Sequence, residues 1–234
     1  MKIALFGYGK MGKTIERVAI ERGHEIVVKI DVDSSNYDIT LADVAIDFST
    51  PNSAFDNINE CFRKSIPIIS GTTGWLDKYD VVVENCINKK GAFIYASNFS
   101  LGVNLFFELN VQLAKTMRKF KSYDISMEEI HHTQKLDAPS GTAITLAEGI
   151  IENSDIENWS LDVTDIKKEI PIVSKRIENV PGTHTVTYTS AVDEIEIKHT
   201  AKSRDGFALG AVIAAEWIQG RKGVYTMKDV LEIN

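Results

Sequence analysis

Between Glu129 and Thr142 the chain reads Glu-Ile-His-His-Thr-Gln-Lys-Leu-Asp-Ala-Pro-Ser-Gly-Thr, which sets two histidines, a lysine and a helix-start signal in one short stretch. Histidine titrates near neutral pH and can donate the proton that must accompany addition of a hydride. Lys135 brings a positive charge for a carboxylate, or a second proton source. Ser140, Gly141 and Thr142 stand just before an apolar helical run (Ile144, Leu146, Ala147, Ile150), so the N–H groups at that helix start, with a hydroxyl, form an anion site that a carboxylate fits. Each residue also has a bland role. Ser140 can simply cap the helix, Lys135 can be a solvated surface lysine, and adjacent histidines on an extended segment point to opposite sides, which leaves one of His131 and His132 open to a structural part. Taken together the bland roles are a poor account, because such side chains seldom crowd one loop without a site. No third and fourth ligand follows at metal spacing, and His184 and His199 read as isolated strand histidines, so no metal is expected.

A second constellation opens the chain. Gly7-Tyr8-Gly9-Lys10-Met11-Gly12 follows the apolar run of residues 2–6, and Asp31 closes the next such run. The first glycine serves a tight turn, the second lets backbone approach a pyrophosphate, and the third packs helix on strand, while the helix start favours phosphate charge and Asp31 accepts from a ribose hydroxyl. The pattern does not itself name the dinucleotide. Val32, not an arginine, follows Asp31, so a 2′-phosphate meets a carboxylate without a counter-charge, which favours NADH over NADPH. Gly71-Thr72-Thr73-Gly74 and Ala96-Ser97-Asn98-Phe99 each follow a strand, and loops at the carboxyl ends of parallel strands are where such sheets bind ligands. Plain turn chemistry explains both loops equally well.

The elements that must carry these residues can be read from periodicity. Apolar runs at 2–6, 25–30, 44–48, 66–69 and 92–96 alternate with helical patterns after Gly12, after Thr50-Pro51 and over 77–88, the rhythm of a doubly wound, Rossmann-like parallel sheet. After Asn98 the pattern changes. Leu101, Leu105, Leu109, Leu113 and Met117 mark a long helix, then 123–130, 170–175, 184–190 and 194–201 read as strands of an antiparallel or mixed sheet, and the helix from Phe207 to Trp217 returns to the first domain. The expectation is a dinucleotide-binding domain of residues 1–98 and 205–234 with an inserted α+β domain, 99–204, for substrate binding.

Composition narrows the class of function. The 234 residues are 44% hydrophobic and 25% charged, an ordinary globular balance, and no apolar run approaches the about 20 residues that span a bilayer. A net charge of −7 without a basic stripe argues against nucleic acid as a partner. The chain enters its first strand at Met1-Lys2-Ile3 without a cleavable apolar leader, so the cytoplasm is the expected compartment. Cys61 and Cys86 sit among apolar residues in helical segments and read as buried thiols rather than nucleophiles.

The stretch Glu129 to Thr142 closely resembles the E-x-H-H-x-x-K-x-D-x-P-S-G-T signature of the 4-hydroxy-tetrahydrodipicolinate reductase (dihydrodipicolinate reductase) family, and the glycine turn, Gly71–Gly74, Ser97–Ser100 and the last helix stand where that family has them. The resemblance implies NADH- or NADPH-dependent reduction of a small dicarboxylate with loss of water, in diaminopimelate and lysine biosynthesis. It implies His131 as the principal acid, Lys135 as a second proton donor, and His132, Gly141 and Thr142 (beside Ser140) as substrate contacts. It places the cofactor on Gly7 to Gly12, Asp31, Gly71 to Thr73 and Ala96 to Phe99, and it implies a homotetramer and a hinge near 98–100 and 203–206. The chain departs from longer family members in its short polar link 33–40, on the adenosine side. The rival readings are another dicarboxylate reductase on the same scaffold and a non-catalytic dinucleotide-sensing module.

Overall fold

The computed structural model describes residues 1–31, 34, 36–162 and 168–233; of the polar link, residues 33 and 35 lie outside them. In chain order the elements are β1 (Lys2–Phe6), α1 (Lys10–Glu21), β2 (Glu25–Ile30), β3 (Val44–Asp47), α2 (Pro51–Arg63), β4 (Ile68–Ser70), α3 (Tyr79–Asn88) and β5 (Ala92–Tyr95). They continue with α4 (Leu101–Met117), β6 (Asp124–His131), α5 (Gly141–Ile151), β7 (Asn158–Leu161), β8 (Glu169–Arg176), β9 (Gly182–Thr189), β10 (Glu194–Ala201), α6 (Asp205–Ile218), β11 (Gly223–Tyr225) and α7 (Met227–Leu231). The chain divides into two compact units, Met1–Leu101 with Arg204–Asn234, and Gly102–Ser203.

The first unit is a parallel sheet in the order β11-β5-β4-β3-β1-β2. Its inner strands β1, β3, β4 and β5 are mainly apolar because both faces are covered, while the edge strand β2 exposes Glu25 and Lys29. Alternate residues of β1 go to opposite layers: Ile3 and Leu5 pack with Ile15, Val18 and Ala19 of α1 and with the alanine-rich α6, while Ala4 and Phe6 pack with Ala54, Ile58 and Phe62 of α2 and Val82 of α3. Cys61 and Cys86 lie in that second layer, fully buried, and burial pushes both thiols up, Cys86 to about 11. They are core residues. At its start α2 has the expected cap, with Thr50 and Ser53 closing a capping box ahead of Pro51.

The second unit is a mixed sheet, β10-β9-β6-β8-β7, antiparallel from β10 to β6 and parallel from β6 to β7. One face is graded along the strands. At one end Met127, Ile170, Ile172, Val186 and Tyr188 form an apolar core with α4 and α5. Further along β6, β8 and β9 the same alternation presents Glu129, His131, Ser174, Arg176 and His184. The apolar end, at about 1.5–3 kcal/mol for each fully buried large side chain, holds the layer together. The polar end is left to do something else. β7, β11 and α7 were not anticipated from the sequence; each has five residues or fewer, too short for a period to show.

Candidate active site

In the first unit the glycine turn follows β1. Gly7 has φ +87°, and a Cβ there would stand 2.1 Å from the Phe48 carbonyl oxygen. At Gly12 a Cβ would stand 2.2 Å from the Gly7 carbonyl oxygen, so α1 can begin this close to the turn only with glycine. Gly9 differs: space is open for 4 Å around the position of its missing Cβ, at the N-terminus of a helix with no acidic side chain in its first turn. This open backbone at a positive helix end fits a pyrophosphate. Tyr8 hydrogen-bonds Glu16 through its hydroxyl, and the Lys29 ammonium lies 2.6 Å from Glu16 Oε1 and 4.8 Å from the Tyr8 ring centre. Hydrogen bonds from Lys29 and Tyr8 hold the Glu16 carboxyl below the usual range. Lys10 is exposed, Met11 packs on the core, and Asp31 is exposed just beyond β2, its N–H donating to Ser34 Oγ at 2.9 Å.

The three loops that the sequence marks for the cofactor meet at a residue pair it did not mark, Asp47 and Phe48 at the end of β3. Asp47 is fully buried. Its Oδ1 accepts from Ser49 Oγ (2.5 Å) and Asn57 Nδ2 (3.1 Å), and its Oδ2 from Ser70 Oγ and Thr72 Oγ1 (both 2.8 Å). Thr72 Oγ1 in turn accepts from the Ser49 N–H, so its side chain is committed within the protein, and Thr73 beside it is exposed. Phe48 presses its carbonyl on Gly7 and its ring on Gly71, where a Cβ would come 2.3 Å from Cε1. The same ring packs on Phe99, centroids 5.8 Å apart. Phe99 is 1% exposed, so its side chain belongs to the core and only its backbone can face a ligand. Ala96 is half-buried, Ser97 is exposed, and Asn98 Oδ1 accepts from the Ser100 N–H at 2.9 Å.

In the second unit the site is built around Glu129, which is fully buried. Strand register places Ser174 and His184 directly beside it on β8 and β9, and Arg176 beside His131. Glu129 Oε1 accepts from Ser174 Oγ (2.9 Å) and Arg176 (3.2 Å), and Oε2 from the Ser140 N–H (3.1 Å). His131 Nδ1 lies 3.4 Å and His184 Nε2 3.7 Å from Oε2. Burial pushes this carboxyl up, but the nearby imidazoles of His131 and His184 and the hydrogen bonds from Ser140 and Ser174 outweigh it and hold the group ionised, well below the usual carboxylate range. His184 moves down, chiefly by burial, partly opposed by Glu129. At neutral pH it is an uncharged ring.

His184 is therefore not the isolated strand histidine the sequence suggested. Its ring centre is 5.0 Å from that of His131 and its Nε2 is 3.1 Å from Ser140 Oγ. A carboxylate and two imidazoles thus converge, all ligand atoms within 4.8 Å. The donors already on Glu129, an arginine among them, mark the group as a hydrogen-bonded cluster. Ser140 Oγ also accepts from the Ala143 N–H (3.2 Å), so the hydroxyl caps α5 while Gly141 and Thr142 form its first turn. His132 is half-buried and its Nδ1 is sealed without a partner. Lys135 Nζ sits 2.8 Å from Asp137 Oδ2, and Arg176 donates to the carbonyls of Lys135 (3.2 Å) and Asp137 (2.6 Å), fixing the loop that carries the lysine.

A doubly wound parallel sheet with this glycine cradle, joined to a unit carrying buried proton-transfer groups, defines a nicotinamide-dinucleotide-dependent oxidoreductase of Rossmann-like fold. Family profiles described as "Dihydrodipicolinate reductase, N-terminus" and "Dihydrodipicolinate reductase, C-terminus" match residues 1–99 and 102–231. The chain is 60% identical to a 4-hydroxy-tetrahydrodipicolinate reductase of Christiangramia forsetii over 99% of its own length and 98% of the relative's. It is 36% identical to the protein of that name from Thermosipho africanus, with the same coverage. A solved dipicolinate-bound dihydrodipicolinate reductase from Paenisporosarcina sp. TG-14 superposes with a TM-score of 0.78 at 21% identity, over 100% of this chain and 99% of that one, and so shares its fold. This chain belongs to the dihydrodipicolinate reductase family. Among the described residues, no helix is long and apolar enough to cross a membrane.

Proposed function

We propose that this protein reduces 4-hydroxy-tetrahydrodipicolinate to tetrahydrodipicolinate with loss of water, in diaminopimelate and lysine biosynthesis. The observation that carries the proposal is the convergence of His131, the Lys135 loop and the start of α5 on one end of the second sheet, around an ionised Glu129. When bound, the reduced nicotinamide supplies the hydride. The chain's own residues do the rest. Gly141 and Thr142, in the first turn of α5, hold one substrate carboxylate by helix-end N–H groups, with Ser140 keeping that end in place. His132 and Lys135 meet the remainder of the dicarboxylate. His131 gives a proton to the ring carbon that hydride addition leaves electron-rich, with Lys135 as second donor.

For the cofactor, Gly7, Tyr8, Gly9, Lys10, Met11 and Gly12 hold the pyrophosphate side, Asp31 the ribose, and Gly71, Thr72, Thr73, Ala96, Ser97, Asn98 and Phe99 the nicotinamide side through backbone. NADH is the preferred donor. Asp31 repels a 2′-phosphate, and Lys29, the nearest cation on β2, is engaged by Glu16 and Tyr8. The protein works in the cytoplasm as a homotetramer assembled through its second unit, a state that light scattering on the eluting protein would read.

The test is loss of reduced-nicotinamide absorbance with substrate generated in place from pyruvate and aspartate semialdehyde, using NADH and NADPH in turn. Native protein should turn over, with higher kcat/KM for NADH. His131→Gln and Lys135→Ala should each lose about 100-fold or more in kcat while still binding cofactor. Folded native protein that binds cofactor without turnover would overturn the assignment in favour of a dinucleotide sensor.

A further inference from the structure

Resting on the reductase reading, we propose that Glu129 is a positioning residue that sets both proton donors at once: His131 through its Nδ1, and the Lys135 loop through Arg176. The geometry is specific. His131 Nδ1 is sealed from solvent and faces Glu129 Oε2 at 3.4 Å, within ion-pair distance though outside hydrogen-bond geometry. The ring keeps 9% exposure on its remaining surface, and Nε2 lies on the opposite edge, against Gly182, where a Cβ would come 3.1 Å from it. Glycine at 182 leaves that edge uncrowded.

The consequence is a division of labour between the two nitrogens. The imidazolium donates from Nε2; the N–H bond there breaks, the new C–H bond forms, and the neutral ring that remains carries its proton on Nδ1, facing Glu129. Nothing need rotate between the two states, as general acid catalysis by a held imidazole requires. The charged and titratable groups facing His131 are Glu129 on its own strand, His184 on β9, Arg176 on β8, and His132, Lys135 and Asp137 in the segment that follows. Glu129 is the buried anion among them, and His184, lowered by its burial, is uncharged beside it at neutral pH. Arg176 completes the link, with one nitrogen shared between Glu129 Oε1 and the Asp137 carbonyl and Nε on the Lys135 carbonyl. Contact between a single carboxylate and both donors is thereby continuous.

The experiment has one arm without substrate and one with it. On native protein, ¹⁵N–¹H correlation of the imidazole rings, with residue 131 assigned by its loss in His131→Gln, should report the Nδ1–H tautomer once the ring is neutral. An Nε2–H tautomer there overturns the proposal whatever the activity, and requires no variant at Glu129 to fold. In turnover, Glu129→Gln keeps an acceptor but removes the charge; kcat should fall about 10- to 100-fold with KM within a few-fold of native, and the high-pH limb of kcat/KM should move to lower pH. Arg176→Met should raise KM and lower kcat together and should not move that limb to lower pH. If the Glu129→Gln limb does not move and its activity loss only tracks the folded fraction, Glu129 is structural and the proposal fails. Failure of native protein to turn over strikes the reductase reading instead, since the tautomer is read without substrate.

Discussion

Two buried carboxylates, one in each unit, tie strand ends to the loops that follow, yet their partners differ in kind. Asp47 collects four neutral donors, two serines, a threonine and an asparagine. Glu129 collects Ser174 and a backbone N–H, but also Arg176 and the approach of His131 and His184. A network of neutral donors fixes geometry and has no second protonation state to offer among those donors. One that includes imidazoles couples geometry to protons. The first arrangement fits the cofactor-holding role proposed for its loops, and the second the proton-donating role proposed for its site.

Removing Asp47 is the strongest way to break this contrast. Asp47→Ala leaves four donors around a buried space, each costing about 1–3 kcal/mol if unsatisfied, so a loss of about 3 kcal/mol or more is expected in urea unfolding after local relaxation. Dinucleotide affinity should fall with it, because Ser49 and Thr72 lose their common anchor. Both losses should be the same at pH 6 and pH 8. A variant that kept its stability, or whose defect varied across that range, would show Asp47 to be something other than a scaffold.

Acid sharpens the contrast from the other side. The folded pKa of His184 lies below the ordinary 6.5, so the unfolded chain takes up a proton more readily and stability falls as pH drops below about 6.5. His199 is lowered too, first by burial and then by His184, and acts with the same sign. Glu129 works in a lower window: its folded pKa is depressed, so its contribution is complete above the ordinary carboxylate value of 4.5 and is lost as pH falls through the folded value. Both histidines lowered in this way, His184 and His199, belong to the second unit. Amide exchange corrected for intrinsic rate should therefore show β6, β8 and β9 losing protection between pH 7.5 and 5.5 while β1, β3 and β4 hold theirs. Equal loss in both units would remove the distinction.

Some of the residues gathered in each candidate site stand out in residue order and others do not. The glycine turn, Asp31 and the stretch from Glu129 to Thr142 announce themselves because turns, caps and loops are local, and spacing along the chain is spacing in space. Asp47, Phe48, Ser174, Arg176 and His184 give no such sign. Ser174 and His184 meet Glu129 only because β6 pairs with β8 and β9 in one register, and a shift of one residue would send each to the other face. One signal was available. Met127, Glu129 and His131 alternate on the buried face of β6, and a carboxylate on such a face requires donors from neighbouring strands. Asp47 hides more completely, at the end of a strand buried on both faces where no alternation can mark it.

The finest test uses a matched pair of serines. Ser70 Oγ gives Asp47 a hydrogen bond of 2.8 Å, and Ser174 Oγ gives Glu129 one of 2.9 Å. Each can be cut to alanine with loss of one neutral donor and no change in charge, so each should cost about 1 kcal/mol in urea unfolding, with Ser70 the larger because it is fully buried and Ser174 half-buried. Activity should separate them. Ser70→Ala should weaken cofactor binding slightly and leave the pH dependence of kcat/KM where it was. Ser174→Ala leaves Glu129 with fewer donors, which makes the carboxylate a stronger partner for the imidazolium of His131. Its high-pH limb should move up by a few tenths of a pH unit, opposite to the shift expected of Glu129→Gln. Two variants of equal size and similar stability that part only in their pH profiles would locate proton coupling in the second carboxylate; identical profiles would leave both as scaffolds.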